Sequence, residues 1–398
     1  MQGSITERIK KKGKDSQGRL RSNIKVYDVR YRYKDSNTGE WKQSNKRGFI
    51  TKSEAEKFLL EINHKFETNT FVLPKVILLK EYLHDWLDHY VEINLRSSTY
   101  FGYKRIIEKH IIPYVGNVDL KNLTANHIDK IYAHLLKDGR SDGKGGLSAK
   151  TVLYTHRVFN EALKHALKKR LIHYNPMTGI TNIPKPKKFK SNIYKKEEIL
   201  NLLEIVRGTV YEIPIALAAV CGLRRGECLA LTRDDIDFEN QTIRINKQYN
   251  DVNNITVLGD PKSEDSNRII SAPKEVFDII KARMQVLDKN KILLKDQFED
   301  NNLIVCQENG KLIRPIYFTK NFSNLIKRYK LKHIRFHDLR HSCASLMLKS
   351  GVAMKTASQI LGHSTIGITA DLYTHVLEDS KKEAALQVGK ELFRKSKP

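Results

Sequence analysis

Four side chains suited to phosphate chemistry lie close together in the C-terminal part of this sequence. They are His337, Arg340, His363 and Tyr373, the last of which follows His363 by ten residues. His337 and Arg340 are three residues apart, so a helix would place them on one face. A guanidinium group pairs with phosphate oxygens, and an imidazole moves protons near neutral pH. A phenol, with a pKa of about 10, becomes a nucleophile only when it is activated.

Two upstream segments add charged residues of the same kind. The segment Cys221–Glu227 reads C-G-L-R-R-G-E and contains Arg224 three residues before its glutamate. Lys262 stands in the pattern P-K-S-x-x-S-x-R, between two predicted strands. Taken alone, the first segment is better explained as a helix terminus with paired surface charges. The second, taken alone, is better explained as an exposed lysine in a turn.

In combination these motifs resemble the tyrosine recombinases of the phage integrase family, and most of all the integrases of conjugative transposons. That family has T-G-L-R-x-x-E, then H-x-L-R-H, then L-G-H and a nucleophilic tyrosine. The present chain matches this order, with Cys221 where threonine is commoner. The resemblance implies six catalytic residues: Arg224, Lys262, His337, Arg340, His363 and Tyr373.

The resemblance also implies a mechanism that needs no metal ion, ATP or other cofactor. Tyr373 would attack the phosphodiester and hold the DNA as a 3′-phosphotyrosine, which keeps the bond energy for rejoining. The two arginines would stabilise the negative charge that builds up on the phosphate, and Lys262 would protonate the leaving 5′ oxygen. His337 would accept the phenol proton or bond a phosphate oxygen, and His363 would donate to a phosphate oxygen.

Length and charge restrict what the whole molecule can be. At 398 residues the chain suggests two or three domains. It has 71 Lys and Arg residues against 45 Asp and Glu residues, a net charge of +26. Such an excess attracts polyphosphate of any sequence. Charge alone also fits a ribosome-associated protein, but here the basic residues recur in every segment, which favours a DNA-binding protein.

Other kinds of site are disfavoured by the patterns. The four cysteines form no C-x-x-C pair, so we expect neither a disulfide framework nor a structural zinc site. His337 and His341 have the i, i+4 spacing of a helical metal pair, but the glutamate of H-E-x-x-H is missing and Arg340 would repel a cation. The sequence has no apolar run of about 18 residues and no signal peptide. We therefore expect a cytoplasmic, nucleoid-associated protein with no membrane partner.

The hydrophobic patterns predict a multidomain fold that is mainly helical with small β-sheets. The predicted parts are an N-terminal arm-binding domain of a three-stranded sheet plus helix (1–72), a helical-bundle core-binding domain (76–180), an extended basic linker (181–190), a mixed α+β catalytic domain (191–378) and a tail helix (379–398) that docks on its own core or on a neighbouring copy. Within the first domain, residues 1–20 are very basic, and we expect them to be disordered without a partner.

Basic side chains in three of these parts are candidates for contacts with DNA. The segment Lys25–Lys34 alternates between apolar and basic residues, so a strand there would have one cationic face. Such a face suits a DNA groove, but it also suits a solvated outer surface. The candidates are Arg30, Arg32 and Lys34 on the strand, Lys150 and Arg157 on a helix, and Lys187 and Lys188 in the linker.

The resemblance implies double-stranded DNA as the partner, with core and arm sites, and a homotetramer assembled on it. It also implies an accessory protein that sets the direction of recombination. Two alternatives share the fold: a relaxing enzyme like the type IB topoisomerases, and a catalytically inactive DNA-binding regulator. An N-terminal arm reader disfavours the first, because relaxation alone does not need one. The complete set of six catalytic residues disfavours the second.

Overall fold

The computed structural model describes residues 3–14, 19–34, 40–67, 76–186, 192–259 and 267–362, together with single positions at 367, 386, 389 and 392. The chain divides into two compact units. The first comprises residues 1–79 with 117–123, and the second comprises residues 80–116 with 124–398. Across the described ranges, no helix combines the length and the apolar character that a membrane crossing needs. Most of the predicted tail helix lies outside the described residues.

An antiparallel sheet backed by one helix forms the first unit. Its elements are β1 (Gly3–Lys14), β2 (Leu20–Lys34), β3 (Trp41–Phe49) and α1 (Lys52–Glu67), with β2 in the centre. Alternation along β2 buries Val29, Tyr31 and Tyr33, which pack with Ala55 and Ile62 of α1. Burial of this apolar face joins sheet and helix. The predicted three-stranded sheet and its helix are confirmed.

The expectation of a disordered N-terminal arm is wrong for β1, which pairs along most of β2. A buried carboxylate helps to hold this basic strand in place. Arg8 Nε donates to Asp28 Oδ2 on β2 at 3.0 Å, and the amide of Gly48 on β3 donates to Asp28 Oδ1 at 2.9 Å. Asp28 therefore links all three strands. The sequence did not predict that β1 is a strand, because its many basic residues indicated a disordered segment.

The chain after the first sheet is helical. Its elements are α2 (Leu79–Trp86), a π-helical turn (Leu87–Val91), α3 (Glu92–Asn94), α4 (Ser97–Ile106), a second π-helical turn (Ile107–Ile111), α5 (Ile112–Val115), a 3₁₀ turn (Leu120–Asn122), α6 (Ala125–Asp138), α7 (Ala149–Lys168) and a 3₁₀ turn (Pro176–Gly179). Residues 181–186 have no regular secondary structure. This part of the molecule is the predicted helical bundle.

Pro113 lies in the first turn of α5. At Ile111 the backbone departs from helical values, with φ −120° and ψ −61°, at the end of the second π-helical turn. The chain then starts a new helical turn, with Pro113 among its first residues. A proline there removes no intrahelical hydrogen bond, so the helix continues past it.

Large side chains fill the core of the helical bundle. Trp86, Tyr132 and Phe159 are each 1% exposed. A hydrogen bond accompanies this packing: the phenolic O–H of Tyr82 on α2 donates to the carbonyl oxygen of Ala162 on α7 at 2.6 Å. The bond joins two helices that are far apart in the sequence, so it helps to fix how they pack.

The remainder of the second unit combines helices with short strands. Its elements are α8 (Lys196–Val206), α9 (Glu212–Val220), α10 (Arg225–Ala230), a 3₁₀ turn (Arg233–Asp235), β4 (Ile236–Asp237), β5 (Thr242–Ile245), β6 (Gln248–Val252), β7 (Ile255–Gly259), β8 (Arg268–Ser271), α11 (Lys274–Leu294), a 3₁₀ turn (Lys295–Gln297), α12 (Pro315–Arg328), α13 (Phe336–Lys349) and α14 (Met354–Leu361). The apolar helix α9 packs against α8, α10, α11 and α13. It therefore anchors the mixed α+β part of the protein.

The short strands form a three-stranded sheet in the order β4-β5-β8 and a separate β6–β7 hairpin. The sequence predicts short strands at Ile243–Ile245, Ile255–Leu258 and Arg268–Ser271, which correspond to β5, β7 and β8. It does not predict β6, because the residues Q-Y-N-D-V have little apolar character. A turn signal was present beside it. Asn253 and Asn254 both have positive φ, at 48° and 64°, as a tight hairpin turn requires. The hairpin thus owes its register to this turn.

Replacing Tyr82 by Phe removes the O–H that bonds Ala162 and keeps the buried ring. We expect the free energy of unfolding to fall by about 1 kcal/mol, as is typical for a buried hydrogen bond. Urea unfolding followed by circular dichroism measures this. Tyr114→Phe is the matched control, because its ring is 40% exposed, and it should leave stability unchanged. Equal losses in both variants would contradict the prediction.

Candidate active site

The G-L-R-x-x-E motif forms a tight junction between α9 and α10. Gly222 has φ +69°, and a Cβ atom there would lie 2.4 Å from Leu361 Cδ2, so any larger residue would be both strained and crowded. Arg224 is the N-cap residue of α10, and its amide donates to Glu227 Oε2 at 2.9 Å. The spacing of the motif is therefore that of a helix N-terminus whose third residue bonds back to the cap.

Glu227 is buried and binds two arginines. Its side chain is 1% exposed. Arg224 Nη1 donates to Glu227 Oε1 at 2.7 Å, and Arg268 Nη2 donates to Glu227 Oε2 at 3.1 Å. Burial alone would raise the pKa of this carboxyl group, but the charges and hydrogen bonds of Arg268 and Arg224 outweigh burial and lower its pKa. Glu227 is therefore ionised and orients both guanidinium groups.

The same two arginines also bind the C-terminal end of α14. Arg224 Nη2 donates to the carbonyl oxygen of Gly362 at 2.6 Å, and Arg268 Nε donates to that of Ile360 at 2.9 Å. Gly362 is the C-cap residue in the left-handed conformation, with φ 62°. The last carbonyl groups of a helix have no intrahelical partner and carry partial negative charge. The arginines satisfy them, which positions the residue just before His363 beside Arg224.

Helix α13 supplies His337 and Arg340 from its first turns. The N-terminus of α13 is fixed by Asp338, which accepts hydrogen bonds from the amide, Nε and Nη2 of Arg335 at 3.0, 2.9 and 2.6 Å. Arg340 is 2% exposed, and its Nη1 donates to the carbonyl oxygen of Gly222 at 2.7 Å. The motif that carries Arg224 is thus tied directly to the helix that carries the second arginine.

Arg224 and His337 line one cavity of about 390 Å³. Its other lining residues are Arg225, Gly226, Gln248, Tyr249, Asn250, Thr319, Arg335 and Phe336. Most of the lining residues have hydrogen-bonding side chains. Three of them, Arg224, Arg225 and Arg335, are arginines. The cavity therefore suits an anionic group such as a phosphate.

The imidazole of His337 opens onto this cavity. Its ring lies edge to face with that of His341, with centroids 4.9 Å apart. Although part of its ring is accessible from the cavity, the protein packed around His337 and the positive charge of His341, Arg340 and Arg224 lower its pKa to about 4. His337 is therefore neutral at physiological pH and able to accept a proton.

Three of the six predicted catalytic residues can be placed. Arg224 and His337 share the cavity, and Arg340 is buried beside Gly222. Lys262, His363 and Tyr373 lie outside the described residues. Arg268 was missed as a member of this cluster, although the motif P-K-S-x-x-S-x-R contains it. Its role depends on burial against Glu227 and α14, which no spacing in the sequence reveals.

Four of the candidate DNA-contacting residues face solvent. Arg30 and Arg32 project from the side of β2 opposite α1, and Lys150 and Arg157 are exposed on α7. Lys34 lies in β2, whereas Lys187 and Lys188 lie outside the described residues. Among the side chains that the structure describes, no group of three or more His, Cys, Asp or Glu residues is arranged to hold a metal ion.

Family models match three consecutive parts of the chain. The phage integrase family matches residues 193–380, the N-terminal SAM-like domain of phage integrases matches residues 78–136, and an arm DNA-binding domain matches residues 19–66. The first match contains all six predicted catalytic residues. The third contains the sheet residues Arg30 and Arg32.

Curated relatives extend the likeness over most of the chain. A tyrosine recombinase XerC-like protein of Caldanaerobacter subterraneus subsp. tengcongensis is 27% identical over 358 residues, covering 84% of this chain and 88% of its own. The ICEBs1 integrase of Bacillus subtilis is 26% identical over 298 residues, covering 74% and 78%. The similarity therefore includes the segments between the motifs.

Solved structures share the fold. The Tn1549 transposon integrase, in complex with a circular intermediate DNA, aligns with a TM-score of 0.65 at 18% identity, over 78% of this chain and 99% of its own. A lambda integrase tetramer bound to a Holliday junction aligns with a TM-score of 0.55 at 15% identity, over 87% and 92%. With the family matches and the arrangement of Arg224, His337 and Arg340, these findings place the chain in the phage integrase family of tyrosine recombinases.

Proposed function

We propose that this protein is a site-specific DNA recombinase that cuts and rejoins strands through a 3′-phosphotyrosine intermediate. The observation that carries the proposal is the cavity where Arg224 and a neutral His337 meet, with Arg340 tied to the same motif through Gly222. A relative named ICEBs1 integrase and a structural neighbour named Tn1549 transposon integrase support action on a mobile element. The reaction it performs is integration and excision of such an element.

Proton transfer follows from the properties of the side chains. Tyr373 attacks the phosphorus, the Tyr Oη–P bond forms, and the bond to the 5′ oxygen breaks. The phenol, with a pKa of about 10, must lose its proton, and neutral His337 accepts it. Lys262 donates a proton to the leaving 5′ oxygen. Reversal of these steps by a new 5′-hydroxyl rejoins the DNA without external energy.

The arginines stabilise the negative charge that develops on the phosphate. In-line attack adds negative charge to the non-bridging phosphate oxygens, and a preorganised guanidinium lowers the energy of that state. Arg224 is held in place by Glu227 and the Gly362 carbonyl before any DNA is present. Arg340 and His363 complete the phosphate site in this proposal.

DNA recognition is assigned to the remaining parts. We infer that residues 1–72 bind arm-type sites, residues 76–180 bind the core site, residues 181–190 link them to the catalytic domain at residues 191–378, and the tail at residues 379–398 docks on a neighbouring copy. The lambda integrase tetramer on a Holliday junction supports a tetramer here. We expect an accessory protein to set direction and the reaction to occur in the cytoplasm at the nucleoid, where its DNA substrate lies.

The two alternatives are less well supported. A relaxing enzyme of the topoisomerase IB kind has no need for an arm DNA-binding domain, and one matches residues 19–66. An inactive regulator has no need for the buried pairing of Glu227 with Arg224, which holds a cation at the cavity. The proposed recombinase uses both features.

Tyr373→Phe is expected to abolish covalent attachment to DNA, because phenylalanine has no nucleophilic oxygen. The assay incubates the protein, in excess EDTA and without ATP, with supercoiled plasmids carrying the DNA that flanks its gene. Wild-type protein should relax a plasmid and give a complex that survives SDS. Tyr329→Phe, a half-exposed tyrosine on the same domain, is the matched control. Activity in the Tyr373→Phe protein would overturn the assignment of the nucleophile.

The exposed arginines of β2 are expected to contribute to arm-site binding. The double variant Arg30→Ala/Arg32→Ala should weaken binding to arm-site duplexes and reduce the slope of log K against log salt by about 1–2, because two phosphate or base contacts are lost. Fluorescence anisotropy at several salt concentrations measures this. Lys52→Ala/Lys57→Ala removes two charges from α1 and should change the slope little. Equal effects would show that only net charge matters.

The lowered pKa of His337 is testable in the protein without DNA. A pKa of about 4 means that its imidazole stays neutral between about pH 5 and pH 8. Its NMR ring resonances, identified by their absence in His337→Gln, should therefore not shift in that range. A titration centred near the ordinary value of 6.5 would contradict the lowered pKa of His337.

A further inference from the structure

Arg268 occupies an unusual position for a charged residue. It is the first residue of β8, pairs in register with Ile245 of β5, and follows directly on the segment that contains Lys262. Its side chain is only 8% exposed. Arginine is rarely buried unless its charge is paired, so this burial needs a specific set of partners.

The partners of Arg268 lie in two other parts of the chain. Two of its nitrogens contact Glu227, with Nη2 3.1 Å from Oε2 and Nη1 3.4 Å from Oε1, and Nε donates to the carbonyl oxygen of Ile360 at 2.9 Å. These partners are 41 and 92 positions away in the sequence. One planar side chain therefore joins the start of α10, the start of β8 and the end of α14.

Arg268 and Arg224 share the partner Glu227, and both bind the end of α14. Both guanidinium groups bind the Glu227 carboxylate, and both donate to carbonyl groups at the end of α14, at Ile360 and Gly362. One carboxylate thus holds both guanidinium groups next to the end of α14.

We propose that Arg268 is a positioning residue for DNA strand cleavage, which ties Arg224 and the end of α14 to Glu227. This inference rests on the proposed function, because cleavage is the step it serves. Its inward contacts and low exposure separate it from the residues that touch DNA. Arg268 directly follows the segment that contains Lys262 and binds Ile360, three residues before His363, so its loss disturbs the approach of the catalytic groups to one another.

Arg268→Ala is expected to lower the single-turnover rate of covalent complex formation by about 100-fold, the effect of a small displacement of catalytic groups. DNA affinity should stay within about threefold of wild type, since Arg268 does not contact DNA. Arg268→Lys should recover part of the rate, because one ammonium group reaches only one of the two partners. The substrate is the plasmid on which wild-type protein forms its SDS-stable complex, at saturating protein.

The experiment includes controls for folding and charge. Arg244→Ala removes an arginine of the same sheet that is 54% exposed and whose position pairs with Ile269, and it should leave the rate unchanged. Thermal unfolding confirms that each variant is folded. A folded Arg268→Ala protein that cleaves at the wild-type rate would overturn the inference. A rate that falls only in step with the folded or DNA-bound fraction would overturn it as well.

Coupling to Glu227 provides an independent readout. If Arg268 acts through the carboxylate, the double variant Glu227→Gln/Arg268→Ala should lose less cleavage rate than the product of the losses in the two single variants. Multiplying effects would mean that the two residues act separately. A wild-type protein that forms no covalent complex on any flanking DNA would instead refute the proposed function, and the inference with it.

Discussion

The ionised Glu227 carboxylate, buried between Arg224 and Arg268, is the interaction on which the site depends. Removing a charge from water costs several kcal/mol, and only close, hydrogen-bonded partners repay it. Here both oxygens are engaged, and the pKa of the group is lowered despite burial. Because α10 and β8 meet at this carboxylate and the end of α14 binds its two arginines, their relative positions are fixed by electrostatics as well as by apolar packing.

Helix ends are the second organising feature of the site. Arg224 caps the start of α10, His337 lies in the first turn of α13, and Gly362 ends α14. Helix ends leave backbone groups without intrahelical partners, and in this protein charged side chains satisfy them. Asp338 does so for α13 and Arg224 for the end of α14. Structure and candidate chemistry therefore use the same residues.

The large positive charge serves two physically different purposes. Arg30, Arg32 and Arg157 are exposed, where solvated cations attract DNA over distance and act weakly on stability. Arg268 and Arg340 are buried and donate to carbonyl or carboxylate oxygens, which fixes the geometry of the site. The same residue type is thus a proposed DNA contact in one place and organises the protein in another.

Local patterns in the sequence determined a good part of this protein. Strict alternation defined β2. The sequence Thr51-Lys-Ser-Glu54 is a capping box, and it starts α1, with the amide of Glu54 donating to Thr51 Oγ1 at 3.2 Å. The order and spacing of the motifs identified the family and placed His337 and Arg340 on one helix. Each of these features depends on residues a few positions apart, whose geometry is set by the period of a helix or strand.

Only the tertiary structure decided which charges are buried and what they bind. The pairing of Arg268 with Glu227 spans 41 positions, and that of Arg224 with Gly362 spans 138. Strand β6 likewise gained its identity from pairing with β7, since its own residues favour no strand. A sequence pattern specifies what a segment is able to form. Desolvation and hydrogen bonding between distant segments decide which of those forms is adopted. Such contacts exist only once the chain has folded.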